Sequence, residues 1–100
     1  MIWRKDLMGD TPPATWEDMI AAAKKCQDEN EGMSGLSFHQ AGTGDAAAVT
    51  YNVMNALYGG ELWNQADRKI EGVINDEAGK KAMDVLVNQM VPLTPKGSSN

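Results

Sequence analysis

Pairs of cysteines, clustered metal ligands, basic blocks and membrane-length apolar runs are all missing from this 100-residue chain. A single cysteine, Cys26, excludes a disulfide within the chain, and no second Cys or His stands at a spacing suited to a metal site. Cys26 therefore decides nothing about redox compartment. It falls on the apolar face of an expected helix, where packing as a small hydrophobe is the commoner role and a reactive thiol the rarer one. No apolar run reaches the roughly 18 residues of a membrane helix, and no charged stretch followed by a hydrophobic signal core opens the sequence. If a parent protein is exported, its signal is expected to lie outside these residues. The nine Lys and Arg are outnumbered by 14 acids, for a net charge of -5. They are dispersed, which disfavours nucleic acid because phosphate binding needs clustered cations. The pairs Lys24-Lys25 and Lys80-Lys81 sit in expected helices among acids and read as solvated faces. Internal repeats and heptads are lacking too.

What remains is a composition of 42% hydrophobic and 23% charged residues, which fits one small globular unit and lies outside the disordered class. A chain this short keeps much of its surface wet when folded, and a full lobe with several faces normally needs more sequence. Incompleteness is thus a first expectation.

Met1-Ile2-Trp3-Arg4-Lys5-Asp6-Leu7 reads as a strand end that breaks at Gly9, with Pro12-Pro13 barring any regular element beyond. Thr15 stands as an N-cap whose hydroxyl can accept from the Asp18 amide. Trp16, Met19, Ile20, Ala23 and Cys26 then recur at helical spacing, predicting a helix that ends near Asn30 with Gly32 just past it. Gly35 to His39 alternates and suits a short strand, and Gln40 to Asp45 reads as a loop into the next helix. From Ala46 to Leu57, the positions Ala47, Thr50, Tyr51, Met54, Leu57 and Tyr58 form one stripe, stopped by Gly59-Gly60. Glu61-Leu62-Trp63 and Lys69 to Val73 flank a polar stretch and suggest a hairpin or two extended arms. Asn75 or Asp76 caps a third helix with Ala82, Met83, Leu86 and Met90 as its buried stripe. Val91 to Asn100 is expected to trail off as a Pro- and Ser-containing tail.

Trp3-Arg4-Lys5-Asp6-Leu7 followed by Thr11-Pro12-Pro13-Ala14-Thr15-Trp16-Glu17-Asp18 resembles the opening of the second lobe in family 1 extracellular solute-binding proteins. Gly59-Gly60-Glu61-Leu62-Trp63 and Ile74-Asn75-Asp76-Glu77-Ala78-Gly79 continue the resemblance, which covers about Ile2 to Met90. It implies an α/β fold, here helix-rich: part of one lobe of a type II periplasmic-binding-protein-like fold, with three helices and short strands. The chain would be a single partial lobe, with residues 91–100 leading toward the hinge. Receptors of this kind close two lobes on a ligand, so the resemblance implies a carbohydrate-like solute and an ABC permease as partners. It also implies a periplasmic or extracellular location, with a lipid anchor left open for a full-length parent. Dimerisation through exposed lobe surfaces is a further expectation, and no cofactor is called for.

Carried over from that family, the loop after Leu36-Ser37-Phe38 faces the cleft, which makes His39, Gln40, Thr43 and Asp45 the contact candidates. Carboxylate, amide and imidazole groups supply the paired donors and acceptors that sugar hydroxyls need. Asp45 is equally suited to cap the helix, and His39 to be solvated or locally bonded. Trp63 could stack on a sugar ring, whereas Trp16 and Trp3 read as interior anchors. The Gly42-Thr43-Gly44 loop could offer amides to an anion, but it lacks the ending of a nucleotide loop, and Asp45 would repel phosphate. Seven methionines read as core filler. No nucleophile, base and orienting partner converge, so catalysis is not expected. The rival reading is a small helical module that docks another protein through its Met-rich and aromatic faces.

Overall fold

The computed structural model describes residues 2–38 and 45–97. Among these residues four α-helices follow in order: α1 (Lys5–Met8), α2 (Trp16–Glu29), α3 (Ala46–Leu57) and α4 (Glu77–Asp84). A π-helical stretch, Val85–Met90, and a 3-10 turn, Val91–Leu93, prolong α4.

The expected strand end at the N-terminus is instead the single turn α1. Arg4 Nε donates to Asp6 Oδ1 at 2.8 Å, and the Gly9 amide donates back to the Lys5 carbonyl at 2.8 Å. These local bonds compete successfully because, among the described residues, no neighbouring strand offers a ladder. Gly9, at φ 81, ends the turn, and Trp3 Nε1 donates to its carbonyl at 3.1 Å.

α2 begins where its cap predicts. The Thr15 hydroxyl accepts from the Asp18 amide at 3.1 Å, while Asp18 Oδ2 accepts from the Thr15 amide at 3.2 Å, a reciprocal capping box. Met19, Ala23 and Cys26 form its buried face, so Cys26 packs as the small hydrophobe expected. Asn30 ends the helix, its Nδ2 donating to the Cys26 carbonyl at 2.8 Å.

Residues 35–38 do not form the expected strand. Leu36 and Phe38 are half-buried and Ser37 is exposed, as alternation requires. Among the described residues, however, no ladder forms beside them; the Leu36 amide donates to the Leu93 carbonyl at 3.0 Å. The hairpin expected between Glu61 and Val73 is likewise a chain of turns, with no strand in it among the described residues.

Met54 of α3, Ala82 of α4, and Val85 and Met90 beyond it form the core, with Trp16, Ile20 and Tyr51 packed around them. Asp76 caps α4 by accepting from the Gly79 amide at 2.9 Å, while Asn75 Oδ1 accepts instead from the Gly72 amide at 2.7 Å. The expected stripe needs two corrections. Met83 is 46% exposed, and Val85 is buried in its place. In a continuing α-helix, Gln89 would complete two turns from Ala82. The wider π turns bring Met90 to that face instead and leave Gln89 exposed. The tail is also more ordered than expected, because the 3-10 turn at Val91–Leu93 buries Leu93 against the body.

Candidate functional site

His39, Gln40 and Thr43 lie outside the described residues. Asp45 stands at the N-cap position of α3, exposed, and its side chain makes no capping hydrogen bond. The backbone does the local work there: the Val49 amide donates to the Asp45 carbonyl at 2.8 Å. The carboxylate is therefore not committed to the helix, although its charge still suits the helix N-terminus.

Trp63 follows α3 from the opposite end. It is 58% exposed and, with Gln65, Arg68 and Ile70, lines a shallow concavity of about 510 Å³. A compact turn shapes this rim. The Asn64 amide donates to the Lys69 carbonyl and the Arg68 amide to the Asn64 carbonyl, both at 2.8 Å. Asn64 Oδ1 accepts from the Ala66 amide at 2.8 Å, and Asp67 Oδ1 from the Lys69 amide at 3.1 Å. Arg68 takes the left-handed backbone, φ 57, that closes the turn. The rim thus offers an aromatic face, an amide and a guanidinium, a set able to cover a ring and bond its hydroxyls. Asp45 is not among the residues lining it. Gln65 and Arg68 were not singled out from the sequence, where they were simply polar residues between two arms.

A second cleft of about 500 Å³ runs between the N-terminal segment, α2 and residues 33–38, against Trp3, Trp16, Met19, Cys26 and Phe38. Its chemistry is wrong for a polar solute. The lining is mostly apolar, and the charge of Arg4 is already paired with Asp6. Trp16 Nε1 is buried without a partner among the described residues. Trp16 and Trp3 are both half-buried here, in keeping with interior anchoring.

Among the described residues no three His, Cys, Asp or Glu side chains gather as a metal site, and no helix is long and apolar enough to cross a membrane. Among the described residues the shifted ionisable groups are one surface pair, Arg4 with Asp6, and one tyrosine. Arg4 holds the Asp6 carboxyl below its usual range through their hydrogen bond. Burial, and then the Glu17 carboxylate, push the Tyr58 phenol up. None of these groups lines the Trp63 rim.

No curated protein and no solved structure matches the chain. A family model does, over residues 1–98, and its description is bacterial extracellular solute-binding protein.

Proposed function

The chain belongs to the bacterial extracellular solute-binding protein family, and on that premise we propose that it forms part of the second lobe of a sugar receptor. The receptor captures a carbohydrate-like solute outside the cytoplasm and hands it to the membrane permease of an ABC importer. The family match over residues 1–98 carries the reading. Its members bind solutes and are not enzymes, and membership does not favour a free-standing interaction module.

The choice of a sugar rests on chemistry. A pyranose presents apolar C–H faces and a ring of hydroxyls, and the Trp63 rim combines an exposed indole with the amide of Gln65 and the guanidinium of Arg68. Asp45, uncommitted to capping, offers a separate acceptor at the far end of α3 from Trp63, and His39, Gln40 and Thr43 just before it in sequence complete the proposed contacts. A cleft closed by two lobes divides its specificity between them, so these residues supply one side of the site.

Calorimetric titration of a saccharide panel into the receptor that carries this chain tests the proposal. Saccharide binding is expected, weakened about tenfold by Trp63→Ala through loss of ring contact. Tight binding of a peptide or a metal ion, with no response to any saccharide, would overturn the ligand class.

A further inference from the structure

Asparagine is a weak helix former that favours caps and turns, because its side chain bonds nearby backbone. Asn55 nevertheless lies inside the last turns of α3 and is 1% exposed. A buried amide needs partners. Asn55 finds one beyond the helix: its Nδ2 donates to the carbonyl of Glu61 at 3.1 Å. Its backbone carbonyl accepts from the Gly60 amide at 2.9 Å. Its Oδ1 has no partner among the described residues and lies against Gly60, where an added Cβ would collide with it. Gly59, at φ 79, turns the chain out of α3 so that it passes over this side chain.

From these contacts we infer that Asn55 is a positioning residue for Trp63, an inference that rests on the ligand reading above only for its functional meaning. Trp63 is bracketed. On one side Asn55 holds Glu61, leaving only Leu62 between; on the other the turn from Asn64 to Lys69 is closed by its own backbone bonds. At 58% exposure Trp63 has little packing to hold it, so its place is set by these two anchors. The Asn55 anchor ties the arm to the body of the fold. A ring that must meet a sugar face gains affinity when its position is set beforehand.

The test uses the chain labelled with 5-fluorotryptophan, whose three ¹⁹F resonances report Trp3, Trp16 and Trp63 separately. Asn55→Asp preserves size, but as a carboxylate it has no donor for the Glu61 carbonyl, whereas its protonated acid has one. At neutral pH the Trp63 resonance of this variant is expected to shift or broaden while that of Trp16 stays put. It should return toward the wild-type position as pH falls through the carboxyl pKa. Saccharide affinity of the receptor should drop about tenfold and recover with the same pH profile. A side chain that merely fills space would show no such profile, and a wild-type Trp63 signal at every pH would overturn the inference. If Trp16 shows that N55D is unfolded at neutral pH, Gly60→Ala takes its place. Its methyl group displaces Asn55 and should move Trp63 alone, and an unmoved Trp63 would be equally fatal. The two readings fail separately: a receptor that binds no saccharide removes the ligand reading, and a wild-type Trp63 resonance that ignores a bound one removes Trp63 from the contacts, while in either case the pH response of N55D still upholds positioning.

Discussion

Tyr58 sits just past α3, half-buried, with Lys81 Nζ 4.6 Å from its ring centroid and the Glu17 carboxylate facing its phenol. Three helices thus meet on one side chain. Burial and the neighbouring carboxylate both disfavour the phenolate, so the folded pKa lies above that of the unfolded chain. The sign follows from linkage: the contribution is fully present below the unfolded pKa, about 10, and is lost as pH rises from there through the folded value. Denaturant titrations between pH 9 and 11 should therefore show stability falling with pH, and Tyr58→Phe should flatten that slope. An unchanged slope in the variant would assign the alkaline loss to other groups. At the same scale, the cap at Thr15 was readable in advance and that of α4 was narrowed to Asn75 or Asp76, because a cap uses only residues within one turn. Asn55 was not, since its partner Glu61 lies past a glycine turn whose direction no local pattern specifies.

Between elements, the packing of α4 against α3 depends on Gly79. It is buried, and an added Cβ would collide with the Ile74 carbonyl and lie 2.8 Å from the Tyr51 hydroxyl. That hydroxyl itself donates to the Ile74 carbonyl at 2.6 Å, tying α3 to the turn before α4. Gly to Ala inside a helix ordinarily gains about 1 kcal/mol. Here backbone lies in the way and cannot yield as a flexible side chain would, so the sign should reverse. Gly79→Ala is expected to lose about 1–3 kcal/mol in chemical denaturation; a gain would show that α4 can slide along α3. Helical stripes predicted α2, α3 and α4 because a 3.6-residue period is written into the order of side chains. The same reasoning put Met83 in the buried stripe and passed over Val85, set Leu57 in the stripe of α3 although it is 52% exposed, and had no means of anticipating that the helix widens after Asp84. The strand expected at 35–39, of which 35–38 are described, shows the complementary limit: alternation sets which side chains turn inward, whereas a ladder requires a second chain segment alongside.

For the whole molecule, the accessible surface is 7123 Å², against about 5,500 Å² for a compact monomer of its mass. The radius of gyration, 15.3 Å, also exceeds the about 13 Å typical of 100 residues. Part of the surplus is apolar. Val49, Val53 and Leu57 recur along an open face of α3, a helix with no charged residue, and Met83 of α4 and Val87 beyond it are exposed. Faces of this kind are normally covered. The chain on its own is expected to bind an apolar fluorescent dye and to associate as concentration rises in analytical ultracentrifugation. A dye-silent monomer would count against the proposal that it forms part of a lobe.

Sequence alone determined α2, α3 and α4, the cap at Thr15, the choice of Asn75 or Asp76 as cap of α4, the buried role of Cys26 and the family resemblance, since each depends on the order of neighbouring residues. Tertiary structure decided what depends on segments meeting. It made a turn of the N-terminal segment, left residues 35–38 without a ladder, buried Leu93, gathered Gln65 and Arg68 around Trp63, and placed Asn55 under the arm that carries that tryptophan. Backbone pairing and close approach across a glycine turn are contacts between distant or redirected parts of the chain, and periodicity carries no record of them.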